Sequence, residues 1–154
     1  MRILPVLFLG ALCTVAQAAD PKPILNFTRD DIVKIYDGDT FYIDYPGNPK
    51  PPAILGENLG IRLNGIDAPE MKSRCQTNEQ KSKERLKALE ARAFLEQRIL
   101  FGRNLELHDL SRDKYFRLDA TLYIDGTNIN ELMVEKGYAI RYDGGTKSDH
   151  WCSL

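Results

Sequence analysis

The chain has 154 residues, 43% of them hydrophobic, which is one domain's worth with its own core. Its 21 basic side chains stand against 22 acidic ones, giving a formal net charge of −1. That balance counts against tight, non-specific binding of duplex nucleic acid, and leaves local clusters or a bound cation to attract phosphate.

Residues 1–18 open with a lone arginine, Arg2, run through the apolar stretch Ile3 to Val15 and close on Ala16-Gln17-Ala18. A basic start, an apolar centre and a small-residue cleavage site predict a secretory signal peptide over 1–18 and one domain over 19–154. A retained anchor is the alternative, but the run is too short to span a bilayer. The processed chain is therefore expected in the periplasm or outside the cell, free of the membrane. Cys13 leaves with the signal, and Cys75 and Cys152 remain. In an oxidising compartment these two are expected to form one disulfide, worth about 4 kcal/mol in the chain-entropy model. Free thiols or a metal pair are the alternatives, and no His–Cys spacing supports zinc.

From Asp31 to Tyr45 the residues alternate, with Val33, Ile35, Tyr36, Phe41, Tyr42 and Ile43 on either side of Asp37-Gly38. This predicts two strands joined by a turn, with Gly38 supplying a positive φ. Pro46 to Pro52 reads as a connection, and Leu59 to Ile66 as a strand stopped by Pro69. Asn78 to Leu100 is predicted to be a helix, with Leu86, Leu89, Ala93, Leu95 and Ile99 as its apolar face. Thr77 or Asn78 would cap its start, and Phe101-Gly102 its end. Two more strands are expected at Leu105 to Leu110 and Leu118 to Ile124, then a short helix capped by Asn130 and running through Lys136. The order of elements gives an α+β, mainly β, domain: a five-stranded curled barrel with packed helices, although periodicity alone does not choose a barrel over an open sheet.

Three charged clusters lie near the predicted strand ends. In Asp37-Gly38-Asp39-Thr40 a tight turn aims two carboxylates; solvated aspartates on a hairpin are the alternative. In the run Arg62 to Glu70, Asp67 ends an apolar strand and Pro69 holds Ala68 extended, so its carbonyl is placed beside the Asp67 carboxylate. Oxygen donors without Cys or His suit Ca²⁺ or Mg²⁺ rather than zinc. Arg62, inside the strand, needs an anionic partner, and a structural ion pair satisfies that need as well as a substrate does. Strict alternation puts Arg62 and Asp67 on opposite faces, so their convergence requires a bulge or a strand end. In the third cluster, Asp113 to Arg117, Lys114, Tyr115 and Arg117 form either a solvated hairpin or a phosphate clamp.

The order D-G-D-T, then R-(x)4-D-x-P-E, then D-K-Y-x-R, followed by Asp125-Gly126 and a short helix at Asn130 to Val134, resembles the staphylococcal nuclease (thermonuclease) family over about Ile32 to Asp143. The resemblance implies an OB-fold barrel with helices and Ca²⁺-dependent hydrolysis of DNA and RNA, single strands favoured, by a monomer that leaves 3′-phosphates. It implies Asp39, Asp67 and the Ala68 carbonyl as Ca²⁺ ligands, with Asp37 in the outer shell. Glu70 corresponds to the residue that orients or deprotonates the attacking water, and Arg62 and Arg117 to the arginines of the transition state. Lys114 and Tyr115 correspond to contacts with a terminal phosphate, and Tyr142 is the candidate for stacking on a base, whereas Tyr138 is expected to pack in the core. The chain departs from the family pattern at Phe116, where glycine is usual, and in the segment Met71 to Glu79. The alternative function is an OB-fold module with weak or no catalysis that binds nucleic acid or a protein. His108, His150 and Trp151 take no role from the sequence.

Overall fold

The computed structural model describes residues 23–47, 56–145 and 149–153. The expected signal peptide and most of the Pro46 to Pro52 connection lie outside the described residues. The strands are β1 (Leu25–Phe27), β2 (Ile32–Ile35), β3 (Thr40–Ile43), β4 (Leu59–Leu63), β5 (Ile66–Asp67), β6 (Leu105–Arg112), β7 (Leu118–Ile124), β8 (Thr127–Asn128) and β9 (Ile140–Arg141). Helix α1 (Asn78–Phe101) separates β5 from β6, α2 (Ile129–Glu135) follows β8, and 3-10 turns occupy Arg29–Asp31 and His150–Cys152.

The main sheet runs β1-β6-β7-β4-β3-β2, with β8 beside β7, and curls into a half-barrel. Its five longest strands supply the barrel expected from the sequence; β1 and β8 are too short to show a period and widen it to seven. Antiparallel pairing joins β2 to β3, β3 to β4 and β6 to β7, whereas β4 and β7 run parallel. A parallel pair requires a crossover, and α1 with β5 and β6 provides it. The register sets Arg62 between Thr40 on β3 and Asp119 on β7. Between Ile32 and Lys34 the β2–β3 register shifts, and Val33 turns outward.

Inside the curl, Phe41, Ile61, Leu63, Leu107 and Leu122 are fully enclosed, and each such side chain stabilises the fold by roughly 2 kcal/mol. Helix α1 covers this core with a face that includes Leu95 and Ile99, as expected, but not the other three predicted residues. Its buried residues are Glu84, Ala88, Ala91, Leu95 and Ile99, while Leu86 and Leu89 are exposed and Ala93 lies outside. Small side chains face the sheet because the approach is close. A Cβ added at Gly38 would come within 2.7 Å of the Ala91 Cβ.

Thr77 caps α1, accepting from the Gln80 N–H while Gln80 reaches back to the Thr77 N–H. At its other end Gly102 has φ −69°, so no left-handed turn calls for glycine there. Space does: a Cβ would meet the Ile124 Cγ2 at 2.3 Å. The second helix starts earlier than expected, capped by Asn128, whose side chain accepts from the Glu131 N–H. Asn130 lies inside it and is buried. Tyr138 stacks on Phe94 with ring centroids 4.6 Å apart. No helix among the described residues is long and apolar enough to cross a membrane.

Candidate active site

The turn between β2 and β3 folds because two amides converge on one carbonyl. The N–H groups of Tyr36 and Asp37 donate to the Thr40 carbonyl at 2.9 and 3.3 Å, and the Asp39 N–H donates to Asp37 Oδ1 at 3.1 Å. Both aspartates are buried. Gly38 is not in the positive-φ region; its missing side chain lets the turn press against Ala91 and Ala68, with Met133 close behind. Close approach, rather than a special backbone angle, makes glycine necessary.

After β4 the chain reverses through Asn64-Gly65, with Gly65 at φ +72°. This turn removes the alternation that would have separated Arg62 from Asp67. Arg62 Nη1 lies 2.7 Å from Asp39 Oδ2 and Nη2 lies 3.8 Å from Asp67 Oδ1, while the guanidinium also donates to the Leu63 and Ile66 carbonyls. The Ala68 N–H donates to Asp39 Oδ2 at 2.7 Å, which ties the second cluster to the first. Asn130, expected as a cap, instead fastens the turn from beneath. Its Oδ1 accepts from the Leu122 N–H, and its amide donates to Asn64 O, Asn64 Oδ1 and Ala120 O.

The Glu70 N–H donates to Glu84 Oε1 at 3.1 Å, so a buried carboxylate on α1 anchors the segment that carries Glu70. Glu84 Oε2 is 3.2 Å from Cys75 Sγ. Cys75 is bonded to Cys152, with Cα atoms 5.4 Å apart, and Gln80 donates to the Cys152 carbonyl. Next to Cys152, the Trp151 indole N–H donates to Asp67 Oδ2 at 3.2 Å. Trp151 and Glu84 had no signal of their own in the sequence. The disulfide carried one, because pairing Cys152 with Cys75 brings residue 151 to the segment that follows the second cluster.

Across the cleft, Arg117 is held by Asp113. Nε and Nη2 both approach Asp113 Oδ2 at 2.8 Å, and Oδ1 accepts from the Tyr115 and Arg117 N–H groups. Burial pushes the Asp113 carboxyl up, but the hydrogen bonds from Arg117 and from these two amides outweigh it and hold the group below its ordinary value. The Arg117 stem crosses β4 at Gly60, where a Cβ would meet its Cγ at 2.9 Å. Tyr115 and Phe116 are exposed, and Phe116 has φ +65°, the left-handed region that glycine occupies freely. Its place in the fold thus accounts for glycine being usual there.

One open cleft of about 1800 Å³ is lined by Asp37, Asp39, Arg62, Asp67, Glu70, Lys114, Tyr115, Arg117 and Tyr142. The Tyr142 hydroxyl donates to the Gly145 carbonyl at 2.5 Å. Ala68 is buried behind the wall. Burial, then the neighbouring Asp39 carboxylate, push Asp37 up to about 8. Burial, then Asp113, also raise Asp119, on the same wall.

An excess of carboxylates over cations, all with oxygen donors, fits a hard divalent ion. Arg62 sits between Asp39 and Asp67, so a cation and this guanidinium compete for the same oxygens. Among the described residues, the His, Cys, Asp and Glu side chains that lie close enough together to share one ion are Cys75, Glu84 and Cys152, and the two sulfurs are committed to the disulfide.

Comparison with known proteins agrees with this geometry. The family described as "Staphylococcal nuclease homologue" matches residues 60–151. An "Uncharacterized endonuclease" of Haemophilus influenzae is 34% identical over 111 residues, covering 72% of this chain and 51% of that protein. A "Probable staphylococcal-like nuclease CAN1" of Oryza sativa subsp. japonica is 30% identical over 127 residues, covering 82% of this chain and 34% of that protein. The chain thus spans about half the length, or less, of these relatives. With a match running from β4 to the 3-10 turn that carries Trp151, the chain belongs to the staphylococcal nuclease family.

Proposed function

We propose that the protein is a secreted or periplasmic, Ca²⁺-dependent nuclease. In this reading it acts as a monomer, hydrolyses phosphodiester bonds of DNA and RNA with single strands favoured, and leaves 3′-phosphates. The observation that carries the reading is the single cleft shared by Arg62, Arg117, Glu70 and three buried aspartates. Asp39, Asp67 and the Ala68 carbonyl would hold the ion, with Asp37 as an outer carboxylate. Bound there, Ca²⁺ supplies charge neutralisation and Lewis-acid polarisation of a phosphoryl oxygen.

The side chains do the rest. Glu70 takes a proton from the water that attacks phosphorus, and the Glu84 carboxylate fixes the backbone beneath it. Arg62 and Arg117 are planar and permanently charged, so each can donate two bonds to the equatorial oxygens as negative charge builds there. The bond to the 5′ oxygen breaks, that oxygen takes a proton from solvent water to leave as a hydroxyl, and the phosphate remains on the 3′ side. Lys114 and Tyr115, exposed on the same loop as Arg117, contact a terminal phosphate, and Tyr142 packs against a base.

The test uses purified protein, single-stranded DNA or RNA, and either Ca²⁺ or a chelator. Cleavage to 3′-phosphate ends is expected only with Ca²⁺. Glu70→Gln and Arg117→Ala should each lose about 100-fold or more in kcat. Absence of cleavage by the wild type, or undiminished cleavage by both variants, rejects the nuclease. A binding module without catalysis is the second reading. It is favoured by both arginines being engaged by protein carboxylates, Arg62 by Asp39 and Arg117 by Asp113. Retention of a labelled strand without cleavage, in Ca²⁺, identifies it.

A further inference from the structure

Beside the cleft lies a second groove, of about 490 Å³, whose lining includes Lys34, Lys72, Arg85 and Arg92 and no carboxylate. Four cations together are unusual in a chain with net charge −1. Lys34, Lys72 and Arg85 are exposed and Arg92 half-buried. Among the described residues none of the four makes an ion pair, whereas Arg62, Lys83, Lys87, Arg117 and Arg141 all do. Like charges gathered without counter-charges repel one another, so the arrangement costs stability unless an anion visits it.

The groove and the cleft are neighbours that share one wall residue. Tyr36 lines both, one residue before Asp37. On the other side the chain alternates between them: Glu70 faces the cleft, Met71 and Lys72 the groove, and Arg74 the cleft again. An anion in the groove therefore lies next to whatever occupies the cleft. Lys34 also stands over the Tyr42 ring, 4.3 Å from its centroid, and Tyr42 lines the cleft.

We propose that this groove binds the phosphate backbone of a single nucleic-acid strand, on one side of the bond that the cleft addresses. The inference rests on the nuclease reading for the occupant of the cleft, and on the four cations for the groove itself. Phosphodiester is the anion whose repeat satisfies several fixed cations in a row. Lys and Arg without a base-reading partner make the binding independent of sequence. A strand of a few nucleotides fills the cleft alone, and a longer one reaches Arg85 and Arg92.

The experiment measures binding of a fluorescein-labelled 16-mer of oligodeoxythymidylate across a salt series, on a Glu70→Gln background that leaves the strand intact. Each lost phosphate contact lowers the slope of log K against log salt by about 0.7 for single strands. Arg85→Gln with Arg92→Gln should lower it by about 1.4 and weaken binding roughly tenfold at moderate salt. Glutamine is a good helix former, Arg85 is exposed and Arg92 only half-buried, so α1 stays folded. Lys34→Gln with Lys72→Gln, on different elements, should act alike. Arg103→Gln with Lys136→Gln, exposed cations outside both linings, is the control. A slope that matches this control in both groove pairs overturns the proposal. Cleavage by the wild type with no slope difference overturns the groove alone; a slope difference without cleavage overturns the nuclease and keeps the groove.

Discussion

The indole N–H of Trp151 donates to Oδ2 of Asp67, 84 positions earlier in the chain, and fixes how that buried carboxylate faces the cleft. In the proposed calcium site Asp67 is a ligand, and partners of this kind set a ligand's orientation and basicity, so that their loss costs about 10-fold or more in affinity. Trp151→Phe keeps the ring and removes only the N–H. Calorimetry should show Ca²⁺ binding weakened about 10-fold, with little change in the unfolding midpoint. Trp151 is also the sole tryptophan, so its emission should follow Ca²⁺ addition directly. Equal Ca²⁺ affinity in the variant and the wild type would show that the contact positions nothing.

Gly38→Ala brings a methyl group within 3 Å of both Ala91 and Ala68. Neither neighbour is a flexible side-chain end, so backbone must move. The expected loss is about 1–3 kcal/mol, read from the urea midpoint. Because the two carboxylates flanking Gly38 move with it, Ca²⁺ binding should weaken as well. A variant as stable as the wild type would mean that the turn and α1 are less closely packed than described.

Asn130→Leu removes the side chain that receives or donates four hydrogen bonds among Leu122, Asn64 and Ala120. Buried groups left unpaired cost about 1–3 kcal/mol each, so a total loss of several kcal/mol is expected. The local consequence is a loosened Asn64-Gly65 turn, which amide exchange at Asn64 and Gly65 would report. Unchanged exchange there refutes the clamp.

At Phe116 the backbone angle is costly for any side chain, and the exposed ring recovers nothing by packing. Comparing Phe116→Gly with Phe116→Ala isolates the backbone. The glycine variant should be the more stable by about 1 kcal/mol, the left-handed penalty of 1–2 kcal/mol less the extra entropy of the unfolded glycine. The order reverses if the loop relaxes out of this conformation in solution.

The strands from Ile32 to Ile43 and from Leu105 to Ile124 were legible because alternation and short charged turns are local properties. The burial face of α1 was legible only at Leu95 and Ile99. Leu86 and Leu89 keep a helical spacing on the outside, whereas Ala88 and Ala91 face inward because of how near Gly38 and the sheet allow the helix to come. Asn130 reads as a cap because polar residues favour helix starts, and only the turn at Asn64 reveals its use. The three charged clusters could be read as site material from the sequence, but their convergence could not. It depends on Gly65 reversing the chain and on β7 pairing parallel to β4. Trp151 stayed silent because its partner is remote in sequence.

The parallel pairing of β4 with β7 also governs when the cleft comes into being. Hairpins such as β2–β3 can close within microseconds, because little chain has to be gathered. Joining Ile61 to Leu118, or Cys75 to Cys152, waits on far longer loops, and such contacts slow folding. Aspartates 37 and 39 meet early, Arg62 and Arg117 late, and Trp151 reaches Asp67 only once the tail has docked. The cleft is therefore completed only at the end of folding, when the tail brings Trp151 onto Asp67.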